Sequence, residues 1–319
     1  MARVFSSKST TDDVLEGIDL SGKLALVTGA SSGLGVETAR ALAARGARVV
    51  MAARDVPKIE QQAAAIRAKH PSAQLEVMEL HLDKPGSVRA FAKAFLAKHA
   101  RLNMLIGNAG VMACPLLRTA EGWEMQFATN HLGHFLLANL LLPALQAGAP
   151  SRVISVSSAG HQFSPVVFDD IHFERRAYDK WMSYGQAKTA NILFALEFDR
   201  RFAARGVRAF SNHPGGIRTE LGRHLTADDI KLLTERSQKR ADSGVMVWKN
   251  EQQGASTQVW GATAPELDGK GGLYLEETQI SGTVPPPGSA GCAPYALDPE
   301  QAKRLWEVSE RTLGESFPA

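Results

Sequence analysis

With 319 residues, 44% of them hydrophobic and 22% charged, the chain has the material for a sizeable core and is neither disordered nor fibrous. Its 36 Lys and Arg against 33 Asp and Glu leave a net charge of +3 without long like-charge blocks, so nothing calls for nucleic acid or an anionic membrane as partner. Two cysteines, Cys114 and Cys292, show no Cys-x-x-Cys spacing, which excludes a disulfide scaffold or cysteine zinc site and suits a reducing compartment. The longest apolar run, Phe135 to Leu145, is interrupted by Asn139 and Pro143 and falls short of the ~20 residues of a membrane span. Met1 to Asp13 is polar and lacks the apolar stretch of a signal peptide or anchor. These features predict a cytoplasmic protein that acts on a small molecule without a metal.

Beyond a polar leader over 1–20, Leu24 to Val27 reads as a strand ending in Thr28-Gly29, and Val36 to Arg45 as a helix stopped by Gly46. Val49 to Ala52 is a second strand, Pro57 to Lys69 a helix, Leu75 to Leu82 a third strand and Gly86 to His99 another helix. Leu102 to Ile106 precedes Gly107-Asn108-Ala109-Gly110, Glu121 to Leu142 reads as one long helix, and Arg152 to Val156 is the fifth strand. A helix over Tyr184 to Ala204, a strand over Val207 to Asn212, an irregular stretch from Gly222 to Gly244 and a late strand near Gly272 to Leu275 follow. The tail over 282–319 holds a proline-rich segment, Gly282 to Pro294, and a final helix, Pro299 to Thr312. Strand and helix alternating in this way predict one α/β domain over 1–319: a doubly wound parallel sheet of the Rossmann type, helices on both faces and buried, continuously apolar strands. No internal repeat is present.

Chemistry is concentrated in a few motifs. Thr28-Gly29-Ala30-Ser31-Ser32-Gly33-Leu34-Gly35 lies between the first strand and the first helix. Glycines there permit positive φ and close approach of backbone to a pyrophosphate, and free N–H groups at the helix start attract its charge. Tyr184-Gly185-Gln186-Ala187-Lys188 puts a phenol and an ammonium four residues apart, hence on one helix face. An ammonium close to a phenol favours phenolate, so Lys188 is expected to lower the proton affinity of Tyr184.

The T-G-x-x-x-G-x-G loop resembles the short-chain dehydrogenase/reductase family, and further motifs follow in the family's order over about 200 residues. Asn108-Ala109-Gly110 looks like its N-A-G element, Asn130 occupies the place of its helical asparagine, Ser158 ends the fifth strand, and Tyr184 with Lys188 matches Y-x-x-x-K. Pro214-Gly215, with Ile217 and Thr219, resembles the loop against the nicotinamide. Within the family the closest likeness is to the retinol dehydrogenase-like branch, carried by Asn108 to Met112, Asn130 to Phe135, Ser151 to Ile154 and Ala190 to Phe194. The resemblance implies hydride transfer between a nicotinamide and a carbonyl carbon. Tyr184 would exchange the proton, Ser158 orient the substrate oxygen, Lys188 hold the ribose hydroxyls and tune Tyr184, and Asn130 support a water relay to Lys188. Strand alternation sends Ser157 and Ser158 to opposite faces, and the family pattern selects Ser158.

Cofactor choice turns on the end of the second strand, where an NAD-selective site needs a carboxylate. Here Ala53 is followed by Arg54, whose guanidinium suits a 2′-phosphate, so NADP(H) is expected; the competing reading has Arg54 as a surface charge beside Asp55. His81-Leu82 stands where the family keeps an acidic residue near the adenine, which makes His81 and Leu82 candidates for the adenine end of the cofactor, with Asp83 two positions on, and Gly107 stands where a second asparagine is common. His131 and His134 lack a third ligand and read as packing residues, and Cys114 as a lone, inert thiol. Met112, Phe163 and Trp181, with Leu221 and Trp248 in the substrate-loop region over 220–250, are candidate pocket walls for a hydrophobic aldehyde, ketone or alcohol. The apolar face of the helix from Tyr184 to Phe202 reads as core or as a subunit interface, and the family likeness favours a homo-oligomer, dimer or tetramer. Two other functions compete: a dinucleotide-sensing interaction protein, which would not need the proton-transfer set, and a sugar-nucleotide epimerase or dehydratase, which usually carries T-G-x-x-G-x-x-G.

Overall fold

The computed structural model describes residues 4–240, 248–283 and 290–317. Met1 to Arg3 of the leader, the 241–247 part of the substrate-loop region and the proline run within 284–289 lie outside the described residues.

The elements in chain order are α1 (Thr11–Val14), β1 (Leu24–Thr28), α2 (Gly33–Ala44), β2 (Arg48–Ala53), α3 (Val56–Lys69), β3 (Gln74–Glu79), α4 (Pro85–Lys98) and β4 (Met104–Gly107). Then come α5 (Met125–Phe127), α6 (Gly133–Leu140), α7 (Leu142–Ala147), β5 (Ser151–Val156), α8 (Lys180–Phe202) and β6 (Val207–His213). The chain continues with α9 (Ala227–Arg240), α10 (Glu251–Thr263), β7 (Leu273–Glu276), β8 (Gln279–Ile280) and α11 (Pro299–Leu313). The strands form one sheet in the order β3-β2-β1-β4-β5-β6-β7-β8, parallel except for the β7–β8 pair. The order reverses between β1 and β4, where the carboxyl ends of an open α/β sheet diverge into a crevice.

Both faces of the sheet are covered at its centre, where β1 and β4 are buried throughout, whereas edge strand β3 is only half-buried and carries Gln74, Glu76 and Glu79. In β1, Ala25 and Val27 pack with Ala39, Leu42 and Val259 of α2 and α10, while Leu24 and Leu26 pack on the opposite face with Phe91 and Phe95 of α4. On that second face α11 lays Trp306 against Phe135, Phe194, Phe198 and Phe202, ring centroids 4.8 to 6.4 Å apart. The apolar face of α8, open between core and interface in the sequence, is therefore spent within the chain.

Three segments differ from expectation. The expected helix over 121–142 is divided: a turn holds 121–124, a π-helical segment from Ala128 to Leu132 separates α5 from α6, and α7 starts before Pro143. The polar leader contains α1, closed by a Thr10–Asp13 capping box. The stretch from Gly222, expected to be irregular, contains α9. Thr226 and Asp229 cap it reciprocally, Asp229 N donating to Thr226 Oγ1 at 3.3 Å and Thr226 N to Asp229 Oδ2 at 2.8 Å. Smaller shifts are the earlier start of α8 at Lys180 and the earlier end of β3 at Glu79, beyond which His81 and Lys84 close a turn into Pro85.

Candidate active site

The crevice at the strand reversal opens into a cleft of about 1550 Å³ that runs from the end of β2, across the start of α2, to the N-terminal turns of α8. At its centre the backbone is crossed tightly. Gly29 and Gly33 hold φ of 69° and 53°, in the left-handed region that favours glycine. A Cβ on Gly35 would stand 2.3 Å from Gly29 O and 2.8 Å from Asn108 Nδ2. Asn108 Nδ2 donates to Thr28 O at 2.9 Å, and Ala109 N donates to Thr28 Oγ1 at 3.0 Å, so the 108–110 segment is bolted to the glycine loop. Ser31, Ser32, Gly33 and Leu34 line the cleft, and the Ser32 side chain leaves the first amides of α2 uncapped. Such a cradle of N–H groups at a helix start fits a pyrophosphate.

Gly29, Arg54, Leu82, Asn108, Ala109, Gly110, Pro214, Gly215, Ile217 and Thr219 also line the cleft, whereas Gly35 sits behind the loop as a packing residue. His81 does not face the cleft: its Nε2 pairs with Glu79 Oε1 at 2.8 Å, and Leu80, Leu82 and Asp83 form this wall. Asp55 caps α3 by accepting from Lys58 N at 3.0 Å, and among the described residues no ion pair joins it to Arg54. Lys58 and Glu220, which sequence reasoning passed over, form an ion pair of 2.6 Å across the cleft rim, holding the Pro214 to Leu221 segment over the glycine loop.

At the other end the proton-handling groups converge. Ser158 opens a short 3-10 turn beyond β5, accepts from Gly160 N at 3.0 Å and lies beside Tyr184, whose proton affinity it lowers. Gly160 packs so closely that a Cβ there would lie 2.6 Å from Tyr184 Cε1. Lys188 lies below, its Nζ 5.7 Å from the centre of the Tyr184 ring and donating to Val156 O at 2.9 Å. Ser157 is turned away, its hydroxyl donating to Lys188 O at 2.8 Å. Burial dominates the proton affinities: Tyr184 is pushed up to about 12, with the Ser158 hydroxyl working against it, and Lys188 is pushed down to about 7. The expected lowering of the phenol by its neighbouring ammonium does not appear: the loss of water sets the direction at both groups.

Asn130 lies in the π-helical segment and does not line the cleft. Its Oδ1 accepts from Val111 N at 2.8 Å and its Nδ2 donates to Val111 O at 2.9 Å, making it a positioning residue for the strand of backbone that follows Gly110. Its carbonyl accepts from His134 Nδ1 at 3.0 Å, which fixes the tautomer, so His134 Nε2 takes the Thr28 hydroxyl at 2.9 Å. His131 Nε2 meets Ser309 Oγ of α11 at 2.7 Å. Burial drives these imidazoles down to about 3 for His131 and about 4 for His134, so both are neutral packing groups. Among the described residues no group of three His, Cys, Asp or Glu is placed to hold a metal. Cys114 is buried outside the cleft with its thiol pushed up by burial.

Met112, Phe163, Trp181, Leu221 and Trp248 all line the substrate end. Unforeseen from sequence are Leu225, just before α9, and Ile230, Leu233 and Arg236, brought by α9. Asp229 anchors that helix to the start of α8, accepting from Lys180 Nζ at 2.5 Å and Trp181 Nε1 at 3.0 Å. The Thr226-x-x-Asp229 cap was the legible signal for it.

Among the described residues no helix is long and apolar enough to cross a membrane. The family described as short chain dehydrogenase matches residues 23–230. "Short-chain dehydrogenase/reductase prx1" of Penicillium roqueforti is 42% identical, the match covering 96% of this chain and 91% of that protein. Human "Retinol dehydrogenase 12" is 40% identical over 93% of this chain and 88% of its own. Among solved structures, an uncharacterised protein from Mycobacterium paratuberculosis superposes with a TM-score of 0.73 at 34% identity, covering 98% of this chain and 100% of the other.

Proposed function

The chain belongs to the short-chain dehydrogenase family, whose members use nicotinamide dinucleotides, and from that premise we propose that it is an NADP(H)-dependent oxidoreductase interconverting a hydrophobic aldehyde or ketone and the corresponding alcohol. The observation that carries this reading is the meeting of the Ser158 and Tyr184 hydroxyls beside buried Lys188, in the cleft that the glycine loop also lines. The cradle fits a dinucleotide: Gly29 and Gly33 adopt positive φ, no side chain caps α2, and Gly35 lets Gly29 and Asn108 approach. When bound, the dinucleotide supplies a hydride to the carbonyl carbon and takes one back in the oxidative direction.

The chain's own groups do the rest. Ser158 donates to the substrate oxygen and orients the carbonyl as charge develops on it. Tyr184, holding its proton firmly at neutral pH, delivers it to that oxygen in reduction and recovers it in oxidation. Lys188, poised near neutrality, is the acid best placed to sustain the phenol through the reaction. Asn130 keeps Gly110 and Val111 in place behind them. Arg54, exposed at the end of β2 without a carboxylate at Ala53, supports preference for a 2′-phosphate. The two buried, unbridged thiols suit the reducing, cytoplasmic setting proposed here. Self-association, which the family likeness favours, would use a surface other than the covered face of α8, and light scattering reads it.

The test follows NADPH oxidation by purified protein on hydrophobic aldehydes and ketones. Tyr184→Phe is expected to lose ~10²–10⁴-fold in turnover, while Arg54→Ala weakens NADPH far more than NADH. Tight NADPH binding without turnover of any carbonyl would favour the sensing protein instead.

A further inference from the structure

Arg236 stands apart from the machinery described so far. It projects from α9 into the substrate end of the cleft, half-buried, its Cζ 4.0 Å from the centre of the Phe163 ring. On the same helix Asp229 is satisfied by Lys180, Trp181 and Thr226. Arg236 has no carboxylate within ion-pair distance among the described residues, and Tyr295, the group that favours its charge, is itself a phenol pushed up to about 12 and hence neutral. The surrounding wall is apolar, made by Leu233, Phe163 and Trp181. A guanidinium keeps its charge, and holding it in such a wall is unfavourable unless an acceptor arrives; the stack on Phe163 fixes its direction and offsets only part of that cost.

We propose that Arg236 receives a carboxylate, so that the substrates of this site are oxo acids or hydroxy acids with an apolar chain between the two polar ends. This rests on the oxidoreductase reading above. A row of rings connects the two ends: Phe163 stacks on Trp181 at 5.2 Å, and Trp181 meets Tyr184 edge-on at 6.4 Å. An aliphatic chain laid along that row presents its carbonyl to Tyr184 and its acid to Arg236. The carbonyl takes up a hydride and a proton and becomes a hydroxyl; the carboxylate is unchanged.

The test compares a medium-chain ω-oxo carboxylate with its methyl ester under NADPH, in wild type, Arg236→Met and Arg236→Lys. Wild type is expected to prefer the acid, chiefly through KM, and Arg236→Met to lower kcat/KM for the acid by about ten- to a hundredfold while leaving the ester unchanged. Arg236→Lys restores part of the loss. Equal turnover of acid and ester, or an equal fall for both in Arg236→Met, overturns the carboxylate subsite and leaves the reaction standing. Calorimetric binding of the saturated fatty acid of the same length, which has no carbonyl, separates the other failure. Binding lost in Arg236→Met without turnover of any carbonyl upholds the subsite and overturns the reaction.

Discussion

At the glycine end of the cleft, backbone meets backbone: Gly35 against Gly29, Gly29 against Ala109, Asn108 and Ala109 bonded to Thr28. At the substrate end, side chains meet side chains: Asp229 with Lys180 and Trp181, Arg236 on Phe163, Arg218 over Trp248 at 4.9 Å. The first kind of contact admits almost no substitution and holds a shape common to any dinucleotide. The second can be changed residue by residue, which is how one scaffold comes to accept different substrates. The difference predicts that equally small substitutions at the two ends will have very unequal effects.

Gly35→Ala is the severest of them. The added methyl would sit 2.3 Å from Gly29 O and 2.8 Å from Gly29 C, both backbone atoms that cannot swing aside, so the loop itself must move. Overpacking of this kind costs ~1–3 kcal/mol or more, and the displaced amides no longer converge. Thermal unfolding should fall by several degrees and NADPH titration should detect no binding. A variant that binds NADPH normally would show that the cradle is soft, and the contrast between the two ends would collapse.

The same contrast explains what could be read from the sequence. Glycines required by backbone geometry leave their mark in the residue type, so Gly29, Gly33 and the 108–110 segment were legible, as were the central strands β1 and β4, which are buried on both faces, whereas edge strand β3 is half-buried and not continuously apolar. Ser158, Tyr184 and Lys188 were legible because their spacing in the chain and their order are tied to chemistry. Asn130 was found from the motif order, but its side-chain contacts were not: only the π-helical turn turns its amide onto Val111. α9 was missed because the segment from Gly222 is polar and its partners are distant in sequence. Its Thr226–Asp229 cap is local, but the pairing of Asp229 with Lys180 and of Arg236 with Phe163 exists only in three dimensions. The balance of proton affinities was missed for a related reason, since burial, which the sequence does not state, raises Tyr184 and lowers Lys188.

That balance gives a second prediction, of intermediate size. Burial brings Lys188 from its ordinary 10.5 to about 7, so across that interval the unfolded chain binds the proton more readily than the folded one. The stability of the wild type should rise as pH climbs from 7 to 10.5, and the full penalty, on the order of a few kcal/mol, is present below pH 7. Lys188→Met removes it, and Val156 O keeps its bond from Asn191 Nδ2 at 3.0 Å. The variant should therefore be inactive yet melt higher than wild type at pH 7, with the gap closing toward pH 10. A variant less stable than wild type at pH 7 would mean that the ammonium is held by the fold rather than endured for the reaction.

Asp229→Asn probes the substrate end and should have the smallest effect. Burial raises the carboxyl's proton affinity, but the hydrogen bonds from Lys180, Thr226 and Trp181 prevail and hold it at about 2, so above the ordinary 3.8 the charge contributes its full stabilisation. The amide keeps the shape and can still accept from Trp181, but it leaves Lys180, about a third exposed, to water. Partial exposure limits the loss to about 1 kcal/mol, and α9 loosens rather than unfolds. Because α9 supplies wall and not proton donor, the expected outcome is a several-fold rise in KM for the carbonyl at nearly constant kcat, NADPH affinity unchanged and the melting temperature within a few degrees of wild type. A fall in kcat at constant KM would mean that the anchor of α9 positions Tyr184 through Trp181, and the two ends of the cleft would then be mechanically one.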